Sequence, residues 1–237
     1  MTFRTRLVIL VALTVIGTVG AVTWVVATAT NRAFETLDNQ RTQALIGQFR
    51  REFARRGQEV VRTAEGIAGL ESILRMAVRL ERGSPDLSRY LNEAESLAAA
   101  HGVGFLELVA HDGAIVSSAQ WPARFGYKED WLLETADWNR QGAFLKREEL
   151  PNEAALALAA VRSVSARDKN VYVVAGYRLD RDFLGSLVLP AGMRVLLYPN
   201  LDREFNSSAL IDATGPVPEA GRLAPLIERV RRERREL

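Results

Sequence analysis

The sequence predicts an α+β fold in which helices come first and a run of mostly antiparallel strands follows. Two observations predict this order. Between residues 31 and 80, apolar side chains recur at helical spacing and no proline interrupts them. From Phe105 onward, short apolar segments alternate with turn residues, as strands do. A third feature lies upstream of both, because no charged residue occurs between Leu7 and Thr30.

The uncharged segment Leu7–Thr30 predicts a transmembrane helix. At about 1.5 Å per residue it exceeds the hydrocarbon core of a bilayer, which is about 30 Å thick. Arg4 and Arg6 precede it without any acidic residue, so the N-terminus is expected to stay in the cytoplasm and residues 31–237 to be exported. A signal peptide cleaved near Ala27-Thr28-Ala29 is the alternative. The apolar run is longer than the usual roughly 7–15 residues of such peptides, which favours an uncleaved anchor.

Charge and composition exclude several classes of function. Two basic residues precede the anchor, and the remainder balances 29 basic against 29 acidic residues. Nucleic-acid binding needs a concentrated positive surface, so it is not expected. The chain has no cysteine and two histidines, whereas a zinc site needs three or four converging ligands. We therefore predict no catalytic residue, no metal site and no cofactor in this chain.

The helical segment after the anchor predicts a stalk over residues 31–82. Its pattern allows a break near Gly66 and Gly69, followed by a second helix. An ordinary packed helix and a dimerising lever that transmits a signal both fit this pattern. Continuity with the membrane helix favours the lever, and with it a homodimer formed through the stalk.

The strand region begins after a break at Gly83-Ser84-Pro85. Ser84 is predicted to cap a helix that ends at Gly102. An Asp-Gly turn at Asp112 then predicts a hairpin. The predicted strands are Phe105–Ala110, Ala114–Ser118, 143–146, 155–165, 171–178 and 193–198, and further helices are predicted over 180–187 and from Arg222 to the end.

Aromatic residues concentrate in the loop after the hairpin, where three of the four tryptophans fall. Aromatic walls with a few charged groups are typical of a small-molecule pocket, although a hydrophobic plug at one end of the sheet fits equally well. Strand alternation places Tyr172 and Arg178 on one face. The candidate ligand-binding residues are Trp121, Arg124, Tyr127, Trp131, Tyr172 and Arg178.

The two arginines of this set indicate the ligand class, if the loop folds over the face that bears Arg178. Guanidinium groups bind carboxylates through paired hydrogen bonds, so Arg124 and Arg178 favour an anionic ligand. Glu129 and Asp130 oppose that preference if they point inward. In the structural alternative, Arg178 pairs with Asp180 or Asp182 and Trp131 fills core volume.

The run GFLELVAHDGAIVSSAQWPARFGYKEDW resembles the core of extracytoplasmic Cache domains, the PAS-like sensor modules of bacterial receptors. Those domains show a strand, an Asp-Gly turn, a second strand and a loop with an aromatic residue. The matching parts here are residues 106–110, Asp112-Gly113, residues 115–118 and Trp131. Many amino-acid-binding members carry an arginine two positions before that tryptophan. Glu129 stands there in this chain, so the resemblance does not imply an amino-acid ligand.

The resemblance implies the N-terminal input region of a sensor histidine kinase in a bacterial inner membrane. The parent protein would then be a histidine protein kinase and this chain a fragment of it, because a phospho-accepting histidine with an ATP-binding domain is lacking here. The alternative is a single-pass structural or adaptor protein that binds a partner through its stalk. The predicted parts are a cytoplasmic tail (1–6), a membrane helix (7–30), the stalk (31–82), the sensor domain (83–190) and a C-terminal strand and helix (191–237).

The membrane topology gives a first prediction. A reporter fused at residue 40 is expected to behave as an exported protein and to remain in the membrane fraction, because the anchor is long and only basic residues precede it. Cell fractionation and N-terminal sequencing check this. Recovery of a soluble protein that starts at Thr30 would contradict it.

Overall fold

The computed structural model describes Trp24, Gln40 and residues 42–81, 87–135, 137–167, 169–202 and 204–233. Two compact units are present, residues 1–50 and residues 51–237. Within the described residues, no helix has the length and apolar character that a bilayer span requires. The predicted membrane helix, except for Trp24, lies outside these residues, as do the predicted tail and the cap at Ser84-Pro85.

Helices form where the apolar spacing predicts them. Val60, Ala64 and Ile67 recur at intervals of four and three residues and are fully buried. A turn at residues 69–70 confirms the predicted break after the first helix. The described helices are α1 (residues 42–68), α2 (Glu71–Glu81), α3 (Glu93–His101), α4 (Arg181–Gly185) and α5 (Ala224–Glu233).

The helix predicted to end at Gly102 does end there, in the left-handed conformation with φ 64°. Its first part differs from the prediction. A single 3-10 turn, Leu87–Tyr90, precedes α3, and residues 91–92 form a turn between them. Asn92, the residue before α3, makes no side-chain cap to the helix.

In the described part of the chain, five antiparallel strands form one sheet in the order β2-β1-β5-β4-β3. This confirms the predicted α+β class and is consistent with a PAS-like, Cache-type arrangement. The strands are β1 (Phe105–Ala110), β2 (Ile115–Ser118), β3 (Phe144–Glu149), β4 (Ala154–Ala166) and β5 (Lys169–Arg178).

The prediction of a strand over residues 193–198 is wrong. Only Leu197 pairs there, through two backbone hydrogen bonds with Ile211. The neighbouring segment offers too short a partner, because it folds back on itself as a small ribbon of two two-residue strands. These are β6 (Ile211–Asp212) and β7 (Gly215–Pro216).

The two faces of the sheet have different covers. Helix α2 packs on β4 and β5, and α3 packs on β1 and β2. Ser117 fixes α3 to the sheet, since its hydroxyl accepts from the Ala94 N–H at 3.0 Å and donates to the Leu91 carbonyl at 2.7 Å. The opposite face, here called the loop face, is covered by residues 119–135 and 137–143, here called the aromatic loop. Its apolar core is formed by Phe105, Val109, Ile115, Leu132, Trp138, Ala157, Ala159, Val161, Tyr172 and Val174.

Gly176 in β5 is required by the packing of the loop face. A Cβ atom at this position would lie 2.1 Å from the Leu158 carbonyl oxygen and 2.7 Å from the ring of Phe105. Both contacts are far inside van der Waals distance. The backbone oxygen cannot move without breaking the β4–β5 pairing.

Substitution of this glycine gives the second prediction. Gly176→Ala is expected to lower the free energy of unfolding by about 1–3 kcal/mol or more, because of overpacking against β4. Urea denaturation of the full chain in a mild detergent measures the change. Gly66→Ala is the matched control, since nothing lies within 4 Å of its added Cβ. In α1 this alanine should be neutral or stabilising by up to about 1 kcal/mol. Equal effects of the two substitutions would contradict the packing argument.

Candidate functional site

A cluster of charged side chains lies beneath the aromatic loop, and we call it the charged cluster. It begins with Glu107 in the middle of β1. Alternation places Glu107 on the loop face together with Phe105 and Val109. Glu107 has 0% of its surface exposed, so a carboxyl group is enclosed within an otherwise apolar strand. The remaining members are Arg124, Glu129, Lys146 and Glu148.

Gln120 joins the two sides of the charged cluster. Its side-chain amide donates to Glu107 at 3.1 Å and to Glu148 at 2.8 Å. Glu107 lies in β1 and Glu148 in β3, and two strands separate them. In a flat sheet these strands would lie about 14 Å apart. The shared contact with one amide shows that the sheet curves around the loop face.

Strand β3 supplies a cation to the same place. Lys146 and Glu148 are two residues apart and therefore point to the same face. The Lys146 ammonium donates to Glu148 and lies 3.8 Å from Glu107 Oε2. Both carboxylates thus share one largely buried lysine.

The loop contributes the second cation and the third carboxylate. Arg124 ends a short 3-10 helix, and its Nη2 donates to Glu129 at 2.7 Å. Its Nη1 lies 3.8 Å from Glu107 Oε1, so Arg124 stands between the loop and β1. The indole N–H of Trp131 also donates to Glu129. The position of this part of the loop is therefore tied to Arg124 and Glu129.

Aromatic rings close the cluster on its apolar side. Trp131 packs edge-on against Trp138 and Phe144, with ring centroids 5.4 and 5.9 Å apart. The Trp138 indole donates to the Leu132 carbonyl at 2.7 Å. The Lys146 ammonium lies 5.5 Å from the centre of the Trp131 ring, within cation–π range. The rings keep water away from one side of the lysine.

Burial and neighbouring charges change the protonation of the charged cluster. Burial disfavours the charged form of Glu107, and the nearby Glu148 carboxylate adds to this effect. Together they raise the pKa of Glu107 to about 7. Burial also disfavours the ammonium of Lys146, but the carboxylates of Glu107 and Glu148 outweigh it and raise the pKa of Lys146. Lys146 therefore stays charged in the pH range in which Glu107 exchanges its proton.

A cavity of about 520 Å³ opens beside the charged cluster. Two of the predicted ligand-binding residues, Arg124 and Trp131, line it. Trp121 lies beside it, with its ring 5.7 Å from the Arg124 guanidinium carbon. Tyr127 is 63% exposed. The full lining is Arg124, Lys128, Glu129, Trp131, Lys146, Arg147 and Glu149.

Tyr172 and Arg178 do not line this cavity. Tyr172 is buried in the apolar core of the loop face. Arg178, at the end of β5, is exposed and has Asp180 at 3.9 Å. Arg178 lines a separate cavity of about 380 Å³ near Gly102 and Phe183. The structure therefore brings Arg124 and Trp131 together and leaves Arg178 elsewhere.

The candidate site contains residues that the sequence does not predict. The predicted ligand-binding residues do not include Glu107, Gln120, Lys146 and Glu148. From the sequence, Glu129 is considered only as an acidic side chain that opposes an anionic ligand if it points inward. One signal is present: Glu107 interrupts the apolar strand FLELVA at a position that alternation assigns to the interior. Lys146 and Glu148, the partners of Glu107 on β3, give no such signal. The β3 sequence is mostly charged, which is the pattern of an exposed edge strand.

The arrangement can bind and orient a polar group and can exchange a proton. In the described residues, no three histidine, aspartate or glutamate side chains converge as a metal site requires. Asp112, at the hairpin, pairs with Lys128 at 2.6 Å on the surface.

Arg162 connects the aromatic loop with α1. It is 5% exposed, and its Nε and Nη2 donate to Glu65 of α1 at 3.0 and 2.9 Å. Its Nη1 donates to the carbonyls of Trp138 and Gln141 at 3.1 and 3.0 Å. One side chain thus holds the helix and the end of the loop together.

No family model matches the chain, and no curated protein matches it. Among solved structures, the chain is similar to the E. coli DcuS sensor domain, with a TM-score of 0.38 and 16% identity over 53% of this chain and 90% of that chain. It is also similar to the sensor domain of the V. cholerae histidine kinase DctB, with a TM-score of 0.38 and 15% identity over 58% of this chain and 57% of that chain. Similarity at this level implies neither a ligand nor a mechanism.

The shared lysine gives the third prediction. Lys146→Met leaves the carboxylates of Glu107 and Glu148 without their common cation, so we expect a loss of about 3–5 kcal/mol in unfolding free energy at neutral pH. The loss should shrink in acid, because protonated carboxyl groups need no cation. Urea denaturation of the full chain at both pH values measures it. Lys128→Met is the control, since its exposed pair with Asp112 contributes about 0–1 kcal/mol. A Lys146 effect as small as the control would show that the charged cluster does not need its cation.

Proposed function

We propose that this chain is the extracytoplasmic sensing and signal-relay region of a membrane receptor, specifically of a two-component sensor histidine kinase. The observation that carries the proposal is the cavity beside the charged cluster. It combines a tryptophan wall with several charged groups, and it lies where the aromatic loop meets the sheet. Its residues suit recognition, because they include no activated nucleophile.

The cavity has the size and character of a small-molecule site. Its volume of about 520 Å³ falls within the roughly 300–1,000 Å³ that such sites occupy. Its lining holds four basic residues against two acidic ones. We infer an anionic group on the ligand, which Arg124 and Lys146 are placed to meet because both line the cavity. A guanidinium provides two parallel donors for such a group.

Arg162 provides the proposed route from the site to the stalk. A ligand that moves the aromatic loop also moves the carbonyl groups of Trp138 and Gln141, to which Arg162 donates hydrogen bonds. The same guanidinium binds Glu65 of α1. A ligand shifts this connection only if it binds the two positions of the loop with different affinity. In the proposal, the stalk passes the shift through the predicted membrane helix, within a homodimer.

A thermal-shift screen tests the proposed site. The full chain in mild detergent is heated with small carboxylates, phosphate and sulfate as probes. We expect at least one probe to raise the melting temperature, and Arg124→Gln to remove that rise. Arg178→Ala is the control, because Arg178 lines the other cavity and its substitution should leave the rise intact.

Two results would overturn the site. If Arg178→Ala abolished the rise in melting temperature and Arg124→Gln retained it, the ligand site would instead lie in the cavity that Arg178 lines. No rise with any anionic probe would refute an anion site. The class of receptor has its own test in the reading frame after codon 237. A downstream membrane span and kinase core would support the histidine kinase, and an immediate stop codon would favour an adaptor.

A further inference from the structure

We propose that Glu107 is a proton-binding site, and that the charge of its carboxyl group decides how firmly the Arg124–Glu129 pair of the aromatic loop is held beside β1. The chain would then respond to pH as well as to a ligand. This inference goes beyond the proposed ligand site, because it requires no bound molecule.

The charges that face Glu107 do not balance. Glu148 and Lys146 approach it from β3, and Glu129 and Arg124 approach it from the loop. With Glu107 included, three carboxylates meet two cations in the part of the chain that the structure describes. Each of these side chains is at least nine-tenths buried. An excess charge in such a poorly solvated place is normally removed by a bound cation or a proton.

Hydrogen bonding assigns the excess charge to Glu107. Glu148 accepts from Lys146 and Gln120, and Glu129 accepts from Arg124 and Trp131. Among the described residues, Glu107 accepts only from Gln120, through Oε1, and its buried Oε2 has no hydrogen-bond partner. Two of the three carboxylates are therefore stabilised in their charged form, and Glu107 is not.

Burial also identifies the species that binds. Glu107 has 0% exposure, so an ammonium or hydroxyl group of a ligand cannot reach Oε2 without moving the loop. The described residues offer no converging ligands for a metal ion at this place. A proton needs no space. It comes from bulk water when the carboxylate becomes neutral and returns there when the carboxylate ionises, with no other bond formed or broken.

The proton changes the balance of forces on Arg124. Ionised Glu107 repels the Glu129 carboxylate of the loop, and this repulsion outweighs its attraction to Arg124 Nη1, which lies 3.8 Å away. Neutral Glu107 does not repel Glu129, so the pair of Arg124 and Glu129 stays in place. Because Glu129 also holds Trp131, deprotonation loosens the aromatic loop.

The sign of the pH effect follows from the raised pKa. Burial, with help from Glu148, raises the pKa of Glu107 from 4.5 to about 7. The folded chain therefore binds this proton more tightly than the unfolded chain. The resulting stabilisation is complete below pH 4.5 and is lost as the pH rises through about 7.

Carbon-13 NMR of the glutamate carboxyl groups tests the proton site in the full chain, in mild detergent. One carboxyl resonance should titrate with a midpoint near pH 7. Glu107→Gln should remove it. Glu149→Gln should leave it, since Glu149 lies 3.7 Å from the same Arg124 but is 60% exposed. If every glutamate in the wild-type chain titrates below about pH 5.5, the proposal is wrong, whether or not a variant folds.

Tryptophan fluorescence tests the effect on the loop in the same samples. When the pH is varied, the emission of the wild-type chain and of Glu149→Gln should change with the same midpoint as the Glu107 titration. In Glu107→Gln the emission should not change in that pH range. A carboxyl titration near pH 7 without any fluorescence change would refute the link from Glu107 to the loop. A failed ligand screen would leave both results unaffected, so the two proposals fail separately.

Discussion

One amide group, that of Gln120, holds two buried carboxylates that belong to strands separated by two others in the sheet. This contact is possible only because the sheet curves around its loop face, and the other features of that face depend on it. Lys146 is placed between the same carboxylates, and Arg124 adds a second cation from the loop. The aromatic residues then close over the charged cluster and complete the enclosure.

A core that contains buried charged groups is seldom explained by stability alone. Burying ions removes their hydration, and well-packed apolar residues of the same volume are often equally or more stabilising. A buried polar network does, however, tolerate few arrangements, since any unpaired member is costly. Such a site can have two discrete states that differ in one charge, and this is the property that a sensing module needs. Within the described part of the chain, Oε2 of Glu107 has no hydrogen-bond partner, and this identifies Glu107 as the residue whose charge differs between the states.

Much of the architecture follows from local patterns. The spacing of Val60, Ala64 and Ile67 and the hairpin at Asp112-Gly113 depend on nearby residues, so the sequence alone predicts them. The strand expected over 193–198 fails because strand formation needs a partner, and its neighbour is too short. The site is predictable only in part for the same reason. Arg124 and Trp131 lie in one aromatic loop, whereas Glu107 and Glu148 meet through sheet curvature, which no local pattern reveals.

The position of Arg178 shows the limit of alternation as a guide. Alternation gives the face of a strand on which a side chain lies, but not how far along the strand the cover extends. Tyr172 lies under the aromatic loop, and Arg178, six residues further along β5, lies beyond it beside Asp180. Arg162 carries no functional signal in the sequence, yet it connects this loop with α1 through all three of its nitrogens.

If the charge of Glu107 sets the position of the aromatic loop, and Arg162 transmits that position to α1, then removing the charge should slow amide exchange in both elements. Hydrogen–deuterium exchange of the wild-type chain and of Glu107→Gln, compared at a single pH of about 8 where Glu107 is ionised, measures this effect. We expect slower exchange in the variant, both in the aromatic loop and in α1 around Glu65. A change confined to β1, or no change at all, would show that neither the link from Glu107 to the loop nor the link through Arg162 exists.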